Sequence, residues 1–167
     1  MNHWLRARLA LVTTVAALAA ACASPPPVDA ALARDVEILG SEETTTIAAI
    51  LDGRAGVVNF WASWCEFCIA EMPDLEAVWT DVSDQVIFVG VDREDRLDLA
   101  LELAEETGVT YPLVEDPDGS LFLAARGLGM PTTLFVTPGG QVVFRHSGPL
   151  TEAQLRDLIA EHLDVAA

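Results

Sequence analysis

The stretch GVVNFWASWCEFCIAEMPDLEAV, residues 56–78, decides how this chain is read. Residues 56–61, GVVNFW, are apolar almost without alternation, the pattern of a strand buried on both faces. A helix is expected from about Cys65 to Trp79. On it Cys68, Met72, Leu75 and Trp79 recur three to four residues apart and mark one buried face. Pro73 falls inside this helix and is expected to kink it. Cys65 and Cys68 therefore sit where a buried strand gives way to a helix.

Outward from that centre, residues 86–91, VIFVGV, read as a second continuous apolar strand. Residues 95–107 read as a surface helix carrying Leu97, Leu101 and Ala104 and stopped by Gly108. Upstream, residues 35–39 are expected to form an edge strand ended by Gly40, and 41–55 are polar, then mixed, with a short apolar turn near 47–51. Downstream, residues 116–119, DPDG, form a turn and 120–126 a short helix. Residues 132–137, TTLFVT, are a third strand; 138–140, PGG, turn the chain, and 141–145 pair back antiparallel. A last helix covers 152–163 with Thr151 as N-cap and a stripe of Leu155, Leu158, Ile159 and Leu163. Two continuous apolar strands joined by a helix imply a parallel βαβ unit. The expected fold is α/β, with a central mixed sheet, that unit, a C-terminal hairpin plus helix, and helices on both faces.

The chain has 167 residues, 51% of them hydrophobic, which fits one domain with an N-terminal extension. Residues 1–8, MNHWLRAR, are short and basic; 9–21, LALVTTVAALAAA, are apolar and uncharged; Cys22 follows. This layout reads as an export signal over residues 1–21. At 1.5 Å per residue that apolar run spans about 20 Å, short of a hydrocarbon core of about 30 Å. Small residues directly before Cys22 resemble a bacterial lipoprotein processing site, which makes Cys22 a candidate for lipidation; ordinary cleavage nearby and an uncleaved anchor are the alternatives. Each puts the domain outside the cytoplasm, where disulfides persist. Residues 22–34 then read as a lipid-attached or exposed Pro-rich tether, and 35–167 as the domain.

The chain has 26 acidic residues against 9 basic ones, all Arg, and a formal net charge of −17. Such a surface repels phosphate backbones, so nucleic acid is not an expected partner. His146 and His162 have no clustered partners in the sequence, and Cys65 and Cys68 have no second cysteine pair to complete a zinc site. Ile69 in place of a histidine removes covalent haem attachment. No metal or cofactor is expected, and a redox dithiol remains.

Cys65 at a helix N-terminus meets free amide groups and the positive end of the helix dipole, so its thiol is expected to ionise below the free value of about 8.5. Cys68, one turn deeper, is expected to be less exposed and to resolve the mixed disulfide that Cys65 forms. Glu71, three residues past Cys68, lies on the same helical side. If buried, its carboxyl is raised by desolvation and suited to take the Cys68 proton. Asn59 and Trp61 share one side of the central strand, and an Asn there is suited to order a water or backbone group. Glu66 between the cysteines opposes a thiolate at Cys65, and Phe67 and Trp64 give apolar surface beside it. Trp79 is expected in the core. Pro131 in Gly129–Met130–Pro131–Thr132–Thr133 stands at the mouth of a strand, a place compatible with a cis bond.

The stretch quoted above resembles the active-site signature of the thioredoxin-like superfamily, and more closely its exported, membrane-tethered bacterial thiol–disulfide oxidoreductases of cytochrome c maturation and spore formation. The resemblance covers residues 35–165. It implies that Cys65 attacks and Cys68 resolves, that Glu71 and Pro73 match the glutamate and kinking proline of the first long helix, and that Asn59 replaces the buried Asp of ordinary thioredoxins. It further implies a cis-Pro131, with Met130 offering backbone groups to an extended substrate. Phe67 departs from the Pro common before the second cysteine.

The reading favoured is an extracytoplasmic reductase acting on exported protein thiols or disulfides and fed by a membrane electron donor. A thiol oxidase using the same pair, passing electrons to a membrane acceptor, is the nearest alternative. A peroxide-reducing enzyme on this fold would want a Thr shortly before a single attacking Cys, which Ser63–Trp64–Cys65 does not supply. A binding lipoprotein with an incidental dithiol is the non-enzymatic alternative.

Overall fold

A computed structural model describes residues 29–165. The export signal expected at 1–21, the candidate lipidation site Cys22 and the Pro-rich part of the expected tether lie outside the described residues. Seven strands form one sheet in the order β2-β1-β5-β4-β3-β6-β7. They are β1 (Asp35–Ile38), β2 (Thr44–Thr46), β3 (Ala55–Trp61), β4 (Val86–Arg93), β5 (Leu113–Asp116), β6 (Thr132–Val136) and β7 (Val142–Ser147). The helices are α1 (Ile47–Leu51), α2 (Glu66–Val82), α3 (Leu97–Thr107), α4 (Ser120–Ala124) and α5 (Glu152–Leu163). β3, β4 and β5 run parallel, while β6 pairs antiparallel with β3 and β7 with β6.

Every residue of β3 is buried. Its Val58 and Phe60 join Val89 and Val91 of β4 in a core closed by Ile47 and Leu51 of α1 and by Leu121 and Phe122 of α4. On the opposite face Val57 and Phe88 pack under Leu75 and Val78 of α2 and Leu155 and Ile159 of α5. A third cluster, continuing toward the end of β3, joins Trp61, Ala62, Cys65, Cys68 and Met72 to Ala100 and Leu103 of α3. Gly90 of β4 has a packing reason: a Cβ there would lie 2.5 Å from Leu113 Cδ2 and 2.9 Å from Trp61 Nε1. The α5 N-terminus carries a capping box, Thr151 with Gln154.

Several expectations need correction. Residues 29–34 are not all exposed tether: Ala31 and Leu32 are buried in the core, and Asp29 donates its N–H to the Gly140 carbonyl at 2.8 Å. The strand at 35–39 is not an edge; Thr44–Thr46 pairs outside it and takes the edge. Residues 113–116 form the strand β5, hidden from pattern reading because two of its four residues are acids. On α3 the buried residues are Ala100 and Leu103, and Leu97 and Leu101 face solvent. Trp79 is partly buried, its indole N–H donating to Thr110 Oγ1 at 3.2 Å.

Candidate active site

β3 and α2 position the dithiol. Cys65 is the N-cap of α2, not its first helical residue, with φ −101° and ψ 96°. It is bonded to Cys68 through a disulfide with S–S 2.02 Å and Cα–Cα 5.2 Å. The Cys68 N–H donates to Cys65 Sγ at 3.2 Å, so the helix terminus addresses this sulfur directly. Cys65 is 7% exposed and Cys68 0%. The expected asymmetry is present, but Cys65 in the disulfide is far less open than its place at a helix start suggested.

The surroundings converge. Trp64, 54% exposed, and Phe67, 63% exposed, flank the pair, and Glu66 lies exposed in the first turn. Met130 packs against the cluster that holds both cysteines. The Met130–Pro131 bond is cis, and Pro131 is buried. Because Thr132 of β6 pairs with Phe60 of β3, the start of β6 is brought beside the end of the strand that leads to Cys65.

Beneath the pair, Glu71 is 2% exposed. Asn59 donates from Nδ2 to Glu71 Oε1 at 2.8 Å and to Thr133 Oγ1 at 3.0 Å. The Leu150 N–H donates to Glu71 Oε2 at 2.9 Å. Burial pushes the Glu71 carboxyl up to about 7; the two hydrogen bonds oppose that shift, and the charge of Asp74 adds to it. Asn59 thus orders a carboxylate, where a water or backbone partner was expected. Thr133 and Leu150 were not singled out from the sequence, since a hydroxyl on a strand and a backbone amide carry no local signal. Asp92 and Asp95 were also missed: in the run Asp92–Arg93–Glu94–Asp95 they look like ordinary surface acids. Among the described residues no group of three or more His, Cys, Asp or Glu side chains could hold a metal ion.

The AhpC/TSA family profile matches residues 30–145 of this chain. The chain belongs to the AhpC/TSA family. Within this family's thioredoxin-like fold it is 36% identical over 130 residues to the thiol:disulfide interchange protein HelX of Rhodobacter capsulatus, covering 77% of this chain and 70% of that protein. It is 28% identical over 122 residues to the thiol-disulfide oxidoreductase ResA of Oceanobacillus iheyensis, covering 70% and 64%. The chain thus spans about two thirds of the length of these curated relatives. The solved structure of MTB DsbF in its mixed oxidized and reduced forms superposes with a TM-score of 0.73 at 27% identity, covering 80% of this chain and 98% of that one. A pair of cysteines at bonding distance in this family places the chain among the thiol–disulfide oxidoreductases.

Proposed function

We propose that the protein works outside the cytoplasm and reduces disulfides of exported proteins through the Cys65–Cys68 dithiol. The observation that carries this reading is the bonded pair itself, with one sulfur at a helix N-terminus and the other wholly buried one turn behind it. In the reduced protein the Cys65 thiolate attacks a client disulfide. A bond forms between Cys65 Sγ and one client sulfur, the client S–S bond breaks, and the other client sulfur leaves as a thiolate. Cys68, giving its proton to Glu71, attacks Cys65 Sγ and releases the second client sulfur. Two electrons pass to the client, and the pair ends as the disulfide. A dithiol donor at the membrane restores it.

Trp64, Phe67 and Met130 supply apolar contact for the client, and the backbone beside Pro131 suits an extended segment. The export signal, a lipid on Cys22 and a tether up to the packed domain complete this reading. Among the described residues no helix is long and apolar enough to cross a membrane; in this reading the lipid on Cys22 is the anchor. The negative charge of Glu66 beside Cys65 favours the reducing direction, because strong oxidants of this fold owe their potential to a stabilised thiolate.

Equilibration of the full chain with glutathione tests the direction of electron flow. A potential of about −270 mV is expected, and one of about −120 mV would overturn the reductase in favour of a thiol oxidase.

A further inference from the structure

The turn that presents Cys65 is gripped by the loop after β4. Ser63 donates its backbone N–H to Asp95 Oδ2 and its hydroxyl to Asp95 Oδ1, the latter at 2.8 Å. The Arg96 N–H donates to the same Oδ1 at 2.7 Å. The Trp64 indole N–H donates to the Glu94 carbonyl at 3.2 Å. The two residues directly before Cys65 are therefore both held by one short segment. That segment is itself fixed, for Glu94 takes a left-handed φ of 49° and donates its N–H to the Asp116 carbonyl at 3.1 Å.

Next to Asp95 lies Asp92, in register with Trp61 and 4% exposed, with an Oδ1 that has no hydrogen-bond partner among the described residues. The charged groups facing it are Asp95 from the loop that follows its strand and Glu115 from β5, while β3 contributes the neutral Trp61. The neighbouring cations are engaged elsewhere: Arg93 pairs with Glu94 and lies 4.2 Å over the Phe122 ring, and Arg96 pairs with Asp98. Two carboxylates in this setting repel unless one keeps its proton. Burial first, then the charge of Asp95 and a hydrogen bond to it, push Asp92 up to about 8.

We propose that Asp95 is a positioning residue for the attacking cysteine, acting through Ser63, and that the Asp92–Asp95 pair couples the ionisation of Cys65 to the protonation of Asp92. The inference rests on Cys65 being the attacking sulfur, as proposed above. With Asp92 protonated, the pair carries one negative charge and Asp95 stays seated on Ser63. With Asp92 ionised, it carries two; the added charge disfavours a thiolate at Cys65 and loosens the seat. Cys65 reactivity then climbs less steeply on the alkaline side than that of an isolated thiol.

The test is the rate of iodoacetamide alkylation of Cys65 in the reduced full chain from pH 5 to 10, followed by peptide mass. The wild type is expected to show an additional inflection at about 8. Asp92→Asn keeps the shape and a donor toward Asp95; its profile is expected to lose that inflection and to run at least about threefold faster at pH 9. Asp95→Asn leaves one of the two acceptor oxygens and turns an amide donor toward the Ser63 N–H; it is expected to lose the inflection and to slow alkylation at pH 6 by at least about threefold, and it supplies the readout should Asp92→Asn fail to fold. A merely structural role would lower the melting temperature and leave the profiles unmoved. Superimposable profiles for the wild type and the folded variants would overturn the coupling alone. Preferential alkylation of Cys68 in the wild type would overturn the role of Cys65 and this inference with it.

Discussion

Glu71 accepts two hydrogen bonds as a carboxylate yet is buried enough to hold a proton up to a pH of about 7, against an ordinary 4.5. A carboxyl whose pKa rises on folding binds its proton more tightly in the folded state. Its contribution to stability is therefore full below about pH 4.5 and is lost as the pH climbs through about 7. The loss is on the order of 3 kcal/mol by that shift. In the mechanism proposed above, the same ionisation makes Glu71 the base for the Cys68 proton. The rate at which Cys68 resolves a trapped mixed disulfide is expected to rise with pH and to level off above about 7. Glu71→Gln is expected to lose that inflection and to slow resolution on the order of 10²-fold. Stopped-flow release of a fluorescent thiol measures both, and identical profiles in the two proteins would remove Glu71 from the mechanism. Urea midpoints at pH 5 and pH 8 supply an independent readout, because their difference should shrink in the variant.

At the scale of elements, the site depends on how closely β4 approaches β3. Gly90 lies in register with Asn59, and the space above its Cα is filled by Leu113, Trp61 and Tyr111. Gly90→Ala puts a methyl group into contacts of 2.5 Å and 2.9 Å, so Leu113 and the Trp61 indole must move. A loss of about 1–3 kcal/mol in unfolding free energy is expected. A slower Cys65 reaction should accompany it, because Trp61 packs in the same cluster as both cysteines. An Ala variant as stable and as reactive as the wild type would mean that β4 and β3 have slack there. What could be read from the sequence follows the same physics. β3, α2, β4 and α5 were legible because burial on both faces, or along one stripe, leaves a pattern in consecutive residues. β2 is three threonines, and β5 ends on acids of which the last, Asp116, turns inward to cap α4 through the N–H groups of Leu121 and Phe122. The bonded pair, the burial of Glu71 and the cis bond before Pro131 were legible from a motif. The grip of Asp95 on Ser63 was not, because it joins residues 32 positions apart and appears only once β3 and β4 lie side by side.

Across the whole molecule, 26 acids against 9 arginines leave a formal charge of −17, so a charged client approaches against or along a net negative field. The side chains exposed beside the Cys65 sulfur, those of Trp64 and Phe67, are apolar, and in the proposed reading they are what a client meets. Field and contact act on different steps: long-range charge sets how often a client arrives, and apolar area sets how long it stays. The reduced protein is therefore expected to react faster with cystamine, a dication, than with the anionic disulfide of thionitrobenzoate once each rate is divided by that for free dithiothreitol. The ratio should be about tenfold or more near 10 mM salt, where screening reaches roughly 30 Å. It should fall toward one at about 1 M, where screening reaches roughly 3 Å. Phe67→Ser should leave this salt dependence intact and slow the reaction with an apolar peptide disulfide, because it removes contact area without changing charge. A cystamine preference that persists unchanged in high salt would mean that a local group, and not the net field, selects the cation. In that case the exposed Glu66 beside Cys65 is the group to replace first, because it is the acid that lies between the two cysteines.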